Sequence, residues 1–296
     1  MTGKQKGIIF SLLAALIYGV TFTVAKDVMK TAVPSLAFVF MRVSGAMLVF
    51  WLLSFFLPTE KVDKQDYKKF FVAAIFGIAV NMMSFLTGLS YTSPISASVL
   101  MITTPIFVMI FSFIFLKNPM NKYKVTGVLL GMAGAAFLIM YGNQISNFGS
   151  NPKLGNFLVA LNAVSYALYL ILAKPILSKY SPVTFAKWLY TFGFLLILPF
   201  TFTQFMAIEW QNIGLTIHLK IAFVVLFATV LTYLFNLIAL RELKPTTMSV
   251  FIYLQPLIAS IFAIFVGADI LTWIKIVSAG LIILGVYLVN VSTSKK

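Results

Sequence analysis

The sequence predicts an all-α integral membrane protein of ten transmembrane helices, arranged as two inverted five-helix repeats. Of its 296 residues, 61% are hydrophobic and 10% charged, against roughly 45–50% and 25% in a soluble domain, so no soluble interior could hold them. Apolar runs of about 20 residues, the length that crosses a bilayer core, recur along the chain with short polar breaks. The chain also matches itself when displaced by 148 residues. Long runs rich in Leu, Phe, Ala and Gly must be helices, because hydrocarbon cannot satisfy free backbone groups and the alternation of a barrel strand is absent.

The first span, 7–26, follows Lys4 and Lys6. It resembles the start of a signal peptide but is too long and lacks a small-residue cleavage site, so it is read as retained. The next four spans are placed at 35–57, 68–90, 94–116 and 122–141, completing a first repeat over 7–141. A polar stretch, Gly142 to Ser150, sits in a linker at 142–153. The second repeat, 154–291, holds spans at 154–173, 183–205, 219–241, 245–266 and 272–291.

The repeat is written in identities. The shift of 148 puts Gly7, Leu13, Ala15, Tyr18, Ala25 and Lys26 on Gly155, Leu161, Ala163, Tyr166, Ala173 and Lys174, and Pro34 and Gly45 on Pro182 and Gly193. A shift of 151 then puts Pro94, Ser98, Val99, Pro105, Ile110 and Phe111 on Pro245, Ser249, Val250, Pro256, Ile261 and Phe262. Five spans per repeat is an odd number, so the second repeat enters the membrane from the opposite side. Inverted repeats of this kind build transporters with two access states.

Charge sets the orientation. With the N-terminus inside, 16 of the 22 basic residues fall in inner segments and five in outer loops, with Arg42 within a span. The positive-inside rule therefore places both termini in the cytoplasm. The net charge of +15 belongs to these loops and not to a nucleic-acid face. The lipid bilayer is the predicted partner, with no nucleic acid; the sequence carries no reading of oligomeric state.

Polar residues inside the spans are the candidates for a site. Span three offers Asn81 and Ser84; span six Asn162, Ser165, Tyr166 and Tyr169; span eight Thr229, Thr232, Tyr233 and Asn236; span nine Tyr253 and Gln255. In spans six and eight, spacings of three, four and seven put the set on one helical face. Such groups must face the bundle interior or a wet cavity, where they either bind a ligand or hold helices together. With Tyr18, the residues assigned to substrate are Tyr18, Asn81, Ser84, Tyr166, Tyr169, Asn236, Tyr253 and Gln255. Pro105 and Pro256 are expected to kink spans four and nine, opening backbone to a cavity. Arg42 is placed to snorkel outward or to contact an anionic group. Gly127 and Gly131 form a close-approach pair in span five, read as packing within the chain.

The missing chemistry narrows the function. All seven acidic residues lie in loops or at span ends, so no proton relay on a mid-membrane carboxylate is expected. Cysteine is absent and His218 is the only histidine, which leaves no metal site. No nucleotide-binding or serine-hydrolase pattern occurs. An enzyme and a cofactor are therefore not expected.

The run Gly88-Leu89-Ser90-Tyr91-Thr92-Ser93-Pro94-Ile95-Ser96-Ala97-Ser98-Val99-Leu100, with Thr104-Pro105 beyond it, resembles the EamA family of the drug/metabolite transporter superfamily. Ala239 to Thr247, with Gln255-Pro256, is similar to the same element in the second copy. Arg42 matches an arginine that members often carry in span two. The resemblance implies two tandem copies and movement of small metabolites, such as amino acids, through a central cavity. Where many members have a Glu after span four this chain has Lys117-Asn118-Pro119, while Asp269 keeps an acid at the equivalent place in the second half. Span one lacks the carboxylate of the four-helix multidrug branch, which points to a neutral, zwitterionic or anionic small-molecule metabolite. The leading expectation is a secondary carrier or facilitator that rocks its halves about a midplane site. The competing ones are a passive channel and a non-transporting receptor or assembly factor.

Overall fold

A computed structural model describes residues 1–31, 33–58, 60–92, 97, 100–141, 151–265 and 271–292. Most of the linker, together with Pro94, Ser98, Val99 and Asp269, lies outside them. Among the described residues 86% are helical and none lies in a strand, in keeping with the hydrocarbon argument for helices.

The helices run α1 (Gly3–Thr31), α2 (Ser35–Phe55), α3 (Tyr67–Tyr91), α4 (Thr104–Leu116) and α5 (Lys122–Tyr141). They continue as α6 (Pro152–Leu177), α7 (Pro182–Met206), α8 (Leu215–Glu242), α9 (245–265) and α10 (Trp273–Ser292). Seven of them, α2, α3, α5, α6, α7, α8 and α10, are long and apolar enough to cross a membrane, and α4 and part of α9 are shorter apolar helices. Large apolar side chains such as Leu48, Phe113, Leu195, Phe200 and Tyr287 stand on the outside of the bundle, as a protein solvated by lipid requires.

Local chemistry sets the helix ends. Asn151 and Ser181 cap α6 and α7, accepting from the N–H groups of Leu154 and Thr184 at 3.2 Å, and Pro152 and Pro182 follow where a missing N–H costs nothing. α4 ends on Lys117 at φ 51°. The N–H of Asn118 then reaches back to the Ser112 carbonyl at 3.1 Å, and Pro119 prevents continuation.

Spans four and nine are not single unbroken α-helices. Residues 102 and 103 form a turn, and Pro105 sits in the first turn of α4. In α9, Pro245–Ser249 passes through a 3₁₀ turn at Val250–Tyr253 into Leu254–Phe265, with Pro256 in the new helix's first turn. Each proline therefore starts a helical piece. It occupies the one place in a helix where its ring has no preceding turn to strike.

The spans equivalent to three and eight carry wide turns of another kind. α3 contains a π turn at Ile75–Ala79 and α8 a π stretch at Val224–Leu231. Such turns free carbonyls that need partners, and neighbouring helices supply them. Ser165 of α6 donates to the Phe76 carbonyl at 2.7 Å, Tyr233 of α8 to Gly77 at 3.1 Å, and Asn162 of α6 to Asn81 at 2.8 Å.

Two larger hydrophobic cores hold the bundle, with a small third cluster at Leu89, Ala97 and Val159. The larger draws on α1, α2, α3, α6, α7 and α8 and centres on Phe38, Phe50, Phe70, Phe185 and Tyr190. The smaller joins α5, α9 and α10 through Val128, Leu138, Tyr253, Ile282 and Val289. Glycine permits its closest seam: a Cβ on Gly285 would lie 2.5 Å from the Gly131 nitrogen, and one on Gly127 2.8 Å from the Gly285 carbonyl oxygen. The Gly127–Gly131 groove is thus filled by α10 of the same chain.

A polar joint ties the α2–α3 loop to the α6–α7 turn. Lys179 pairs with Asp63 and, at 2.5 Å, with Asp66; Lys69 and the Tyr180 hydroxyl also bond Asp66, at 2.7 and 2.8 Å. Glu60 accepts from the Ser181 N–H at 2.9 Å. At the other end of the bundle, Lys220 of α8 pairs with Asp27 of α1.

Candidate functional site

A cavity lies inside the bundle where α1, α2, α3, α6, α8 and α9 meet. About 100 Å³ of it is reachable by the centres of water molecules, where a single water needs roughly 10–15 Å³. Polar groups come from every bordering helix: Tyr18 and Thr21 from α1, Arg42 from α2, Asn81 from α3, Asn162 and Tyr166 from α6, Tyr233 from α8 and Gln255 from α9. Met82, Phe85, Leu86, Leu89, Met101 and Ile252 supply an apolar wall. A smaller recess of about 20 Å³ adjoins it, sharing Tyr18, Tyr166, Ile252 and Gln255 and adding Ser11, Asn236 and Ser249.

Arg42 dominates the electrostatics. It is 7% exposed, its Nε donates to the Thr229 hydroxyl at 2.9 Å, and that hydroxyl donates to the Val224 carbonyl, also at 2.9 Å. The π stretch of α8 opens that carbonyl and so fixes Thr229, and Thr229 fixes the guanidinium. Among the described residues, no carboxylate pairs with Arg42. A buried cation without a counterion is costly, and its planar edge matches a carboxylate or phosphate. Asn162 adds the opposite character: its Nδ2 is spent on Asn81, while its Oδ1 is buried with no partner. The cavity can therefore receive an anionic group at one point and a hydrogen-bond donor at another.

The residues assigned from sequence separate into two groups. Tyr18, Asn81, Tyr166, Gln255 and Arg42 line the cavity, and Asn236 lines the recess. Ser84, Tyr169 and Tyr253 line neither. The Ser84 hydroxyl turns back onto the Val80 carbonyl of its own helix. The Tyr169 ring covers Gly77, 2.4 Å from where a Cβ would stand, and the Tyr253 ring covers Gly131 at the same distance. Thr21 is polar but was not among the residues assigned, and the apolar wall carried no polar signal in the sequence. Phe85 could have been found through the repeat, since the shift of 148 carries it onto Tyr233.

A multi-pass helical bundle enclosing a partly polar cavity defines a membrane protein of the transporter class. The chain belongs to the EamA-like transporter family, whose model matches residues 5–140 and again 153–291. A Bacillus subtilis protein described as uncharacterized transporter YyaM is 26% identical over 288 residues, covering 96% of this chain and 93% of its own. An Archaeoglobus fulgidus protein, also an uncharacterized transporter, is 27% identical over 291 residues, covering 96% and 98%. A solved crystal structure shares the fold with a TM-score of 0.80 over 99% of both chains at 14% identity.

Proposed function

We propose that the protein is a secondary carrier or facilitator moving small metabolites, such as amino acids, across the cell membrane by alternating access. In this reading ten helices cross the bilayer as two inverted halves, 7–141 and 154–291, joined at 142–153, with both termini cytoplasmic. The substrate sits in the cavity, its anionic group on Arg42 and the rest between Tyr18, Asn81, Tyr166 and Gln255.

One observation carries the reading. Three residue pairs related by the repeat, Tyr18 with Tyr166, Phe85 with Tyr233, and Met101 with Ile252, all border the same cavity. A pseudo-two-fold axis through the cavity produces that pairing, and an axis there is where two access states of similar energy share a site. The wide turns at Ile75–Ala79 and Val224–Leu231 fall on each other under the same shift. These and the helical breaks before Pro105 and Pro256 are the places where bordering helices can bend.

Purified protein in liposomes, offered labelled metabolites with and without a carboxylate, tests the proposal. Saturable uptake and counterflow are expected for carboxylate-bearing compounds. Arg42→Gln should raise the half-saturation concentration about 10–100-fold, the loss of one charge-assisted bidentate contact. Non-saturating flux with single-channel conductance would replace the carrier by a channel, and no flux of any panel member would remove transport altogether.

A further inference from the structure

A second site lies on the outer surface of the bundle, where α2 ends and α3 and α7 begin. Trp51 is held there by its indole N–H, which donates to the Thr191 hydroxyl at 2.9 Å, and Thr191 in turn donates to the Lys187 carbonyl at 2.7 Å. Trp188 meets Trp51 edge-on at 5.8 Å, and Tyr67 meets Trp188 edge-on at 4.8 Å. Across this fixed aromatic seat lies the Lys187 ammonium, 4.7 Å from the Trp51 ring and 5.8 Å from that of Trp188.

The charge around the seat is not balanced. Asp63 and Asp66 are taken up by Lys179 and Lys69, and Glu60 by the Ser181 N–H. Among the described residues no carboxylate pairs with Lys187, nor with exposed Lys64 and Lys68 on the loop and first turn that carry Tyr67. Lys187 stands five residues into α7 from Pro182, roughly 7–8 Å along the axis. Aromatic rings and lysines near the end of a membrane-spanning helix are the groups that anchor at the headgroup level. Towards the bilayer middle from the seat, Leu48 of α2, about one turn before Trp51, and Leu195 of α7, about two turns beyond Trp188, are exposed at 64% and 58%.

We infer that this surface binds one anionic phospholipid, its phosphate on Lys187 between Trp51, Trp188 and Tyr67, its glycerol head towards Lys64 and Lys68, and an acyl chain along Leu48 and Leu195. A free phosphate would use the ammonium alone; the apolar pair assigns the site to a lipid. The inference rests only on the helices spanning a membrane and is independent of any substrate.

Of the four tryptophans, Trp51 and Trp188 belong to the seat. Replacing the others, Trp210→Phe and Trp273→Phe, leaves a fluorescence reporter confined to it. In phosphatidylcholine vesicles, phosphatidylglycerol with brominated acyl chains should quench this pair as though bound about fivefold more tightly than equally brominated phosphatidylcholine, the preference expected of one interfacial cation. Lys187→Gln should bring the ratio to near one, and Lys187→Arg should keep it. Equal quenching by both lipids in the parent protein, a measurement that needs no lysine variant, would overturn the inference. So would a preference unchanged by Lys187→Gln, or one abolished by excess inorganic phosphate. Because quenching is read without flux, a protein that carries no metabolite still returns an answer.

Discussion

Arg42 and Asp66 show how far a single residue's surroundings decide its role. Arg42 is legible in the sequence as a charge within a span, but its length allows either snorkelling or inward contact, and Thr229 decides between them by holding Nε from an adjacent helix. Thr229→Val should therefore weaken transport of a carboxylate about 5–30-fold, a loss of one buried hydrogen bond of about 1–2 kcal/mol, with Arg42 still in place; the half-saturation constant in liposomes measures it. Asp66 sits outside the membrane. The Lys179 ammonium, then Lys69 and the Tyr180 hydroxyl, hold its carboxyl well below the usual carboxylate range. A depressed folded pKa contributes stability above the ordinary Asp value of about 3.9, lost only as pH falls through the lower folded value. Lys179, raised by Asp63 and Asp66, contributes below its ordinary value near 10.4 and loses that contribution only as pH rises through the higher folded value. The joint should thus stay closed from about pH 4 to pH 10. Tryptic cleavage after Lys61 and Lys64 should be slow and constant across the enzyme's working range, and faster in Asp66→Asn at every pH tested. Ser84, Tyr169 and Tyr253 mark the limit of reading by residue. Helical spacing places a polar group on a face but does not say whether a hydroxyl turns to its own helix or a ring is needed to cover a glycine.

At the scale of the helix, apolar runs marked where elements lie, and Pro105 and Pro256 were expected to kink spans four and nine; each stands in the first turn of a helical piece. The form of interruption was not legible. A proline can kink a continuous helix or open a new one, and the sequence is the same in both cases. The π turns left less trace still, because their freed carbonyls are met by Ser165, Asn162 and Tyr233 from other helices. The α5–α10 seam makes a sharp comparison among glycines. Gly285→Ala would put a methyl 2.5 Å from a backbone nitrogen that cannot rotate away, and should destabilise the protein by about 1–3 kcal/mol. Gly280→Ala, five residues earlier on the same helix, meets nothing within 4 Å and should be neutral or stabilising by up to about 1 kcal/mol, since helical glycine is entropically costly. Thermal unfolding in detergent, compared between the two variants, checks both.

For the whole molecule, the membrane nature was readable from composition and the family from the resemblance carried by Gly88 to Leu100 and Ala239 to Thr247, but the pattern of packing was not. Both cores mix the proposed halves: α2 packs on α7, α3 on α6, and α5 on α10. Two rigid halves rocking apart would have to break the tightest seams in the bundle. The proposed orientation can be tested in the natural cysteine-free background. Lys61→Cys and Lys153→Cys should label with an impermeant maleimide from opposite faces of the membrane, Lys61→Cys only from the cytoplasm; labelling of both from one face would contradict the inverted arrangement. The seam between Gly127 and Gly285 also has a history in time. The two glycines are 158 positions apart in the chain, roughly 8–32 s of synthesis at about 5–20 residues per second. During that interval the Gly127 stretch of α5 has no α10 to fill it, and Gly131 waits for Tyr253 of α9. A chain arrested before α10 would carry the groove permanently, and self-association through α5 is the misassembly to which its biogenesis is most exposed.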